Sequence, residues 1–148
     1  MKISTRGRYG VRILLDLALH ENKTPRQIHE IAASQQISEK YISRLIINLR
    51  RVKMIRSIRG AKGGYRIARN PAEITLLDIV EAMEGPLSIV DCVRSPEKCN
   101  RNDNCPSRQI WDRLNTEICE AMHKITLQNI IDNYHESNCD GGIPDYCI

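Results

Sequence analysis

The sequence predicts a mainly α-helical fold with a small β-wing, in which a winged helix-turn-helix precedes a long C-terminal helix. Two short helical patterns joined by a tight turn occupy residues 24–51. An alternating pattern interrupted by glycines follows at residues 55–68, and a long apolar stripe with helical spacing begins near Pro106. A hairpin placed directly after a helix-turn-helix is typical of a winged helix.

Charge is divided unequally between the two halves of the chain. Residues 1–70 hold 16 Lys and Arg against four Asp and Glu, whereas residues 71–148 hold six against 14. The net charge of +4 therefore combines roughly +12 with roughly −8. This asymmetry indicates a polyanionic partner for the N-terminal half, and a helix-turn-helix favours a double-stranded DNA operator.

The first helix is predicted to begin at a cap formed by Ser4 or Thr5 and to run to about His20. Arg6 and Arg8 lie in its first turns, where positive charge opposes the helix macrodipole. Contact with DNA phosphates is the functional interpretation of these arginines. A solvated basic face is the alternative.

The second and third helices form the predicted helix-turn-helix. Thr24, Pro25 and Gln27 match the cap, first and third positions of a capping box, so a helix is expected from Pro25 to about Ser34. Ser38 caps the next helix, in which apolar residues keep helical spacing and basic residues lie between them. The candidate DNA-binding residues of this helix are Ser38, Lys40, Tyr41, Ser43 and Arg44. Among them Lys40, Ser43 and Arg44 are predicted to contact base edges.

The predicted wing consists of residues 55–59 and 65–68 around a glycine-rich tip. We expect Arg59 to enter the minor groove and Lys62 and Arg66 to hold phosphates. A nucleotide-binding phosphate loop is disfavoured, because the tip lacks the Walker spacing and no helix follows it directly.

The second half of the chain contains two further predicted helices and a loop. Thr75 and Asp78 form a capping box for a helix through about Glu84, and residues 88–108 are predicted to be a loop of about 20 residues. The long helix begins at Pro106 or Ser107. Its apolar stripe comprises Ile110, Trp111, Leu114, Ile118, Ala121, Met122 and Ile125. We expect this stripe to form a homodimer interface, the alternative being a monomer whose last helix completes the core.

Three regions follow from these patterns. Residues 1–70 form a winged helix-turn-helix DNA-binding region, and residues 71–133 hold a helix, a cysteine-rich loop and the dimerisation helix. Residues 134–148 are predicted to be an irregular tail. The sequence shows neither a leader peptide nor an apolar run long enough for a membrane span, so we expect a cytoplasmic protein with no membrane partner.

Cys92, Cys99 and Cys105 crowd into the predicted loop. Their spacing differs from the tight pairs of most zinc ribbons and from ferredoxin motifs, so the spacing alone is a weak signal. Cytoplasmic thiols stay reduced, and clustered thiols there more often bind metal or act in redox chemistry than form disulfides. Three soft ligands in one loop favour an iron–sulfur cluster, with structural zinc as the alternative.

Taken together, these motifs resemble those of the IscR-type iron–sulfur regulators, a family of dimeric winged-helix transcription factors. The resemblance covers about residues 1–133. It rests on residues 4–9, on residues 37–41, on the wing motifs at 57–60 and 63–65, on the three cysteines, on Trp111 and on residues 125–127. It implies a repressor or activator whose operator choice depends on the occupancy of a 2Fe-2S or 4Fe-4S cluster. Cys92, Cys99 and Cys105 would be its ligands.

One departure from the family pattern concerns the fourth ligand. The IscR pattern has a histidine three residues after the last cysteine, and Arg108 stands there in this chain. A guanidinium that stays protonated is a very poor iron ligand. The alternatives are Cys139, Cys147, His123, His135, Asp91, Asp103, or an exogenous thiol or water.

Two rival functions remain open at the level of sequence. A cluster-free or zinc-containing regulator that senses a metabolite or protein partner would still bind DNA. An electron-transfer or cluster-carrier protein would instead use the basic half to dock onto an acidic partner. No Ser-His-Asp, paired-carboxylate or HExxH pattern is visible, so we expect no enzymatic activity.

Overall fold

The computed structural model describes residues 2–101 and 104–139. In these ranges the chain forms α1 (Thr5–Leu19), α2 (Ile28–Gln35), α3 (Glu39–Arg51), β1 (Ile55–Ile58), β2 (Gly64–Ile67), α4 (Leu76–Glu84), α5 (Asp91–Arg94), α6 (Pro106–Lys124) and α7 (Leu127–Cys139). Single 3-10 turns lie at Pro71–Glu73 and Pro96–Lys98. The predicted mainly α fold with a β-wing is confirmed.

One aliphatic core joins the helix-turn-helix to the C-terminal helices. Side chains of α1, α2 and α3 pack with the base of the wing, with α4 and with the start of α7. The fully buried members of this core include Ile13, Leu14, Leu17, Ile31, Ile42, Leu45, Ile46, Leu49, Met54, Ile74, Ile79 and Leu127. The DNA-binding elements, α4 and the start of α7 therefore belong to one packed body.

Three predicted helix starts are confirmed by their caps. The Ser4 hydroxyl accepts a hydrogen bond from the Gly7 amide at 3.4 Å, and the Ser38 hydroxyl accepts one from the Tyr41 amide at 3.4 Å. Thr75 and the Asp78 residue at the third position of α4 form a reciprocal capping box, with both hydrogen bonds at 3.1 Å. Local sequence chemistry is sufficient to define these starts.

The predicted start of the second helix at Pro25 is wrong, because α2 begins at Ile28 with Gln27 as its cap. The capping box is formed by Gln27 and Glu30. The backbone of Arg26 is extended and exchanges two hydrogen bonds with Tyr65, at 3.1 and 2.8 Å. This long-range pairing with the wing holds residues 24–27 out of the helix.

The wing is an antiparallel pair in which Ile55 lies opposite Ile67 and Ile58 lies opposite Gly64. A Cβ atom on Gly64 would lie 2.5 Å from the carbonyl oxygen of Arg26. Glycine at this position therefore permits the close approach of the wing to the segment before α2. This packing explains why glycine occupies position 64, next to the tip of the wing.

The prediction of an irregular loop over residues 88–108 is wrong in part, because α5 and a 3-10 turn lie within it and α6 begins at Pro106. The Glu81 carboxylate accepts a hydrogen bond from the Leu87 amide at 3.1 Å, and the side-chain oxygen of Asn115 accepts one from the Ile89 amide at 3.0 Å. These two contacts attach the segment to α4 and α6, which sequence periodicity does not reveal.

The predicted irregular tail also needs correction, because α7 continues through residues 134–139. Residues 140–148 lie outside the described residues. Within the described ranges, no helix combines the length and the apolar character needed to cross a membrane.

Candidate nucleic-acid interface and cysteine segment

Helix α3 buries one face in the core and presents a basic face outward. Lys40 and Arg44 are exposed on that outer face, together with the cap residue Ser38. Ser43 is half-buried, and its hydroxyl donates a hydrogen bond to the Glu39 carbonyl at 2.7 Å. The predicted base-reading residues Lys40, Ser43 and Arg44 therefore lie together on one helix, in the arrangement used by recognition helices.

Tyr41 differs from the other predicted contacts of α3. Its ring packs edge-to-face against Tyr9 of α1, with ring centroids 5.9 Å apart, and the side chain is half-buried. The guanidinium of Arg12 lies over the Tyr9 ring, 5.3 Å from its centroid, and donates to the side chain and the backbone carbonyl of Gln35 at 2.9 and 2.7 Å. This cluster fixes the start of α3 against α1.

The predicted wing contacts separate into two groups. Arg59 and Lys62 are exposed near the tip, where their side chains face solvent. The guanidinium of Arg66 instead donates hydrogen bonds to the backbone carbonyls of Glu21 and Lys23. Arg66 therefore ties the wing to the loop after α1, and these bonds occupy the group that the sequence analysis assigned to phosphate.

Arg6 and Arg8 are exposed in the first turns of α1. A carboxylate borders the start of the same helix, because Glu84 accepts hydrogen bonds from the Ser4 amide at 2.9 Å and from the Ser4 hydroxyl at 2.8 Å. Negative charge at a helix N-terminus is stabilising. Glu84 is the last residue of α4, so this contact links the start of α1 to the start of residues 85–105, which we call the cysteine segment.

The three predicted cysteine ligands lie on different short elements, and each is half-buried. Cys92 is in α5, Cys99 follows the 3-10 turn, and Cys105 is the N-cap residue of α6. All three are free thiols. The Ser107 hydroxyl, 3.2 Å from the Cys105 sulfur, and the backbone at Arg108 lower the pKa of the Cys105 thiol.

The donor chemistry of this segment suits a soft metal, since thiolates are preferred by iron–sulfur clusters and zinc. A lowered pKa favours the thiolate form of Cys105, which is the form that binds metal. Within residues 2–101 and 104–139, however, no group of three His, Cys, Asp or Glu side chains is arranged to hold a metal ion. For the three thiols to bind one metal centre, the segment that carries them would have to change conformation and bring them together.

The candidates for a fourth ligand are dispersed. Asp91 is exposed at the start of α5, His123 is exposed near the end of α6, and His135 is exposed on α7. The backbone amide of Arg108 donates to the Cys105 carbonyl at 3.2 Å, in the first turn of α6. Asp103 and Cys147 lie outside the described residues, and the side chain of Cys139 is likewise undescribed. The predictions that involve these three side chains therefore stay open.

Cys119 is separate from the cysteine segment. It is half-buried on α6, where burial, followed by the Glu81 charge, raises the pKa of its thiol. Together with His123 it lines an open cavity of about 410 Å³ between α4 and α6. A raised pKa favours the protonated, less reactive form of this thiol.

The apolar stripe of α6 is largely uncovered. The exposed fractions are 66% for Ile110, 40% for Trp111, 41% for Leu114 and 42% for Ile125, whereas Met122 is 7% exposed. Within the stripe, the described chain therefore buries Met122 and half-buries Ile118. Several large apolar side chains on one helix are typical of an interaction surface.

Comparison with known proteins identifies the relatives of this fold. Residues 3–133 match the model of the Rrf2 family, described as an iron-dependent transcriptional regulator. The transcriptional regulator CymR of Bacillus subtilis is 35% identical over 130 residues, which are 88% of this chain and 89% of CymR. Regulators of this family bind DNA, so the DNA-binding winged helix is confirmed.

Solved structures of two such regulators are similar to this fold. The structure of CymR, described as the global cysteine regulator of B. subtilis, has a TM-score of 0.75 and 34% identity, covering 90% of this chain and 98% of CymR. The T. potens IscR structure has a TM-score of 0.74 and 33% identity, covering 93% of this chain and 90% of IscR. These proteins are transcriptional regulators rather than enzymes, as the sequence analysis expected. The chain therefore belongs to the Rrf2 family of transcriptional regulators.

Proposed function

We propose that the chain is a cytoplasmic, homodimeric regulator whose operator binding depends on an iron–sulfur cluster held by Cys92, Cys99 and Cys105. The observation that supports this proposal most strongly is the position of the three half-buried thiols. They lie on one short segment between α4 and α6, and one thiol has a lowered pKa. The description of the matched family as iron-dependent supports the same choice of metal.

The proposed DNA interface divides its contacts by chemistry. Lys40, Ser43 and Arg44 read base edges in the major groove, and Arg59 enters the minor groove. Phosphates are held by Arg6, Arg8 and Lys62, with Ser38 at the exposed start of α3. Arg66 is excluded from this set because backbone carbonyls engage its guanidinium. Tyr41 positions α3 through its contact with Tyr9.

The homodimer is proposed to form through the exposed stripe of α6. Fully burying one large aliphatic or aromatic side chain is worth about 1.5–3 kcal/mol, so covering this stripe would offset the cost of association. A second copy of the chain is the natural occupant because a two-fold dimer buries the same patch on both subunits. Paired α6 helices would also set the distance between two DNA half-sites.

Coupling between the thiols and DNA is proposed to pass through the end of α4. The cysteine segment leaves α4 at Gly85, directly after Glu84, and Glu84 binds the start of α1 through Ser4. Arg6 and Arg8 follow in the first turn of α1, two and four residues after Ser4. Rearrangement of the segment would therefore reach two of the proposed phosphate contacts. A cluster, when bound, would supply sensitivity to iron supply or redox stress.

A second candidate function is regulation by zinc or by free thiols, without a cluster, in response to a metabolite or protein partner. One observation favours it: the relative CymR is described as the global cysteine regulator of B. subtilis. This candidate uses the same DNA interface. It differs only in what the cysteine segment detects.

Strictly anaerobic purification tests the proposal against the alternative. We expect a coloured protein with iron and sulfide, and loss of colour in air. Replacing any one of Cys92, Cys99 or Cys105 by alanine should abolish the iron content. Cys119→Ala, which changes a half-buried thiol outside the segment, is the matched control and should retain it. A colourless protein with stoichiometric zinc, or one with neither metal, would reject the cluster in favour of the second candidate.

The division of DNA contacts has its own test. Arg44→Ala should relax sequence preference at one position, whereas Lys62→Ala should weaken binding to all sequences and lower the salt slope by about one unit. Binding titrations with specific and scrambled duplexes at several salt concentrations measure both effects. Full retention of sequence preference by the Arg44→Ala protein would contradict the assignment.

A further inference from the structure

The outer face of α3 contains an apolar side chain that the fold does not use. Ile47 is 59% exposed, whereas the core residues Ile42, Leu45, Ile46 and Leu49 of the same helix are at most 2% exposed. Among the described residues, Ile47 belongs neither to the core nor to the partly buried side chains packed against it. Exposure of a β-branched residue in the middle of a helix contributes little to folding.

Helical geometry places Ile47 at the centre of the basic face. At about 100° per residue, Ile47 lies roughly 20° from Lys40 and roughly 40° from Ser43 and Arg51 around the helix axis. Arg44 is about 60° away, and the buried Leu49 is about 160° away. Lys40, Arg44 and Arg51 are exposed. These three cations lie on one side of Ile47 around the helix axis, and the exposed Arg50 lies about 60° away on the other side. The isoleucine is therefore flanked by cations, which complement the charge of DNA.

We propose that Ile47 is a specificity-determining residue that packs on the 5-methyl group of a thymine in the major groove. The inference rests on the proposed function, because it places α3 in that groove. Thymine is the unmodified base that presents an apolar group there, and aliphatic side chains recognise it by contact.

The experiment begins with selection of binding sites by the full-length protein from a random double-stranded DNA library. Each thymidine of the selected duplex is then replaced in turn by deoxyuridine, which removes only the methyl group. At one position in each half-site, the wild-type protein should lose about four-fold in affinity, the effect expected for one buried methyl group. Ile47→Ala should show equal affinity for thymine and uracil at that position, whereas Ile47→Val should keep most of the discrimination.

The outcomes distinguish failure of the proposed function from failure of the inference about Ile47. Failure to enrich any sequence would overturn both. An enriched sequence with the same response to uracil in wild type and Ile47→Ala would overturn the inference alone. Ile47→Ala should keep the urea midpoint and the sedimentation behaviour of the wild type, because the side chain is exposed. Dissociation of the Ile47→Ala protein into monomers would instead identify Ile47 as a subunit contact and overturn the inference.

Discussion

Replacing Asp16 by alanine tests whether the packing of α1 against α2 depends on one buried ion pair. Asp16 is 5% exposed, and its carboxylate accepts hydrogen bonds from Arg26 at 3.0 and 3.1 Å and from the Ser34 hydroxyl at 2.8 Å. Arg26 is itself only 15% exposed. Because Arg26 also pairs with the wing through its backbone, the ion pair links α1, α2 and the hairpin.

Removing one partner of a buried ion pair costs about 3–5 kcal/mol, because the remaining charge is left without its counterion. Arg26 keeps a contact with Glu30 at 3.7 Å, which points to the lower end of that range. A loss of about 3 kcal/mol, divided by an m-value of about 1.5 kcal/mol/M, lowers the urea midpoint by about 2 M. The unfolding slope itself should stay unchanged.

Urea unfolding at one fixed protein concentration measures this change, because subunit association would otherwise alter the apparent stability. Glu117→Ala is the matched control, since the Arg113–Glu117 pair has a similar 3.1 Å contact but is 83% and 58% exposed. Such surface pairs contribute about 0.3–0.5 kcal/mol. If Asp16→Ala shifted the midpoint no more than Glu117→Ala does, the assignment of Asp16 as a structural anchor would be refuted.

Three further predictions concern the cysteine segment, the α4–α1 contact and the wing. The pKa of Cys105 is lowered and that of Cys119 is raised, so Cys105 forms thiolate at the lower pH of the two. In metal-free protein near neutral pH, iodoacetamide should therefore label Cys105 before Cys119, and mass spectrometry showing the reverse order would contradict this. Glu84→Ala removes two charge-assisted hydrogen bonds and should cost about 2–4 kcal/mol in urea unfolding, and a change below about 0.5 kcal/mol would reject the contact. Gly64→Ala should lower the free energy of unfolding by about 1–3 kcal/mol, because the added Cβ would clash with the Arg26 carbonyl. As a control, Ala61→Ser at the exposed tip should leave the unfolding midpoint unchanged.

Features governed by neighbouring residues could be predicted from the sequence. The caps at Ser4, Ser38 and Thr75 satisfy amides three residues away, so each start is set within one helical turn. The hairpin follows from alternation and glycine, and its observed register joins residues 55–58 to 64–67. The start of α6 at Pro106 agrees with proline at the first helical position.

Features created by distant residues could not be predicted in this way. The start of α2 is displaced because Arg26 pairs with Tyr65, 39 positions further along the chain. Glu84 contacts Ser4 across a separation of 80 residues, and no local pattern indicates that pairing. The hydrogen bonds from Arg66 to the carbonyls of Glu21 and Lys23 likewise join residues 45 and 43 positions apart, and no local pattern indicates them.

The exposed position of Ile47 is indicated by the sequence. Its helical spacing from Lys40 and Arg51 places it on the basic face, away from the apolar positions that form the core. The angular position of each residue around α3 therefore separates Ile47 from the core isoleucines of the same helix.

The most direct test of the central claim measures the affinity of the protein for a selected operator duplex under strict anaerobiosis, before and after iron is removed. Wild type and Cys92→Ala are compared at one salt concentration, with Cys119→Ala as the control. We predict that iron removal changes the affinity or the operator preference of wild type and of Cys119→Ala, and that Cys92→Ala behaves as the iron-free protein from the start. Identical binding by all three proteins in both states would contradict control of DNA binding by the cysteine segment.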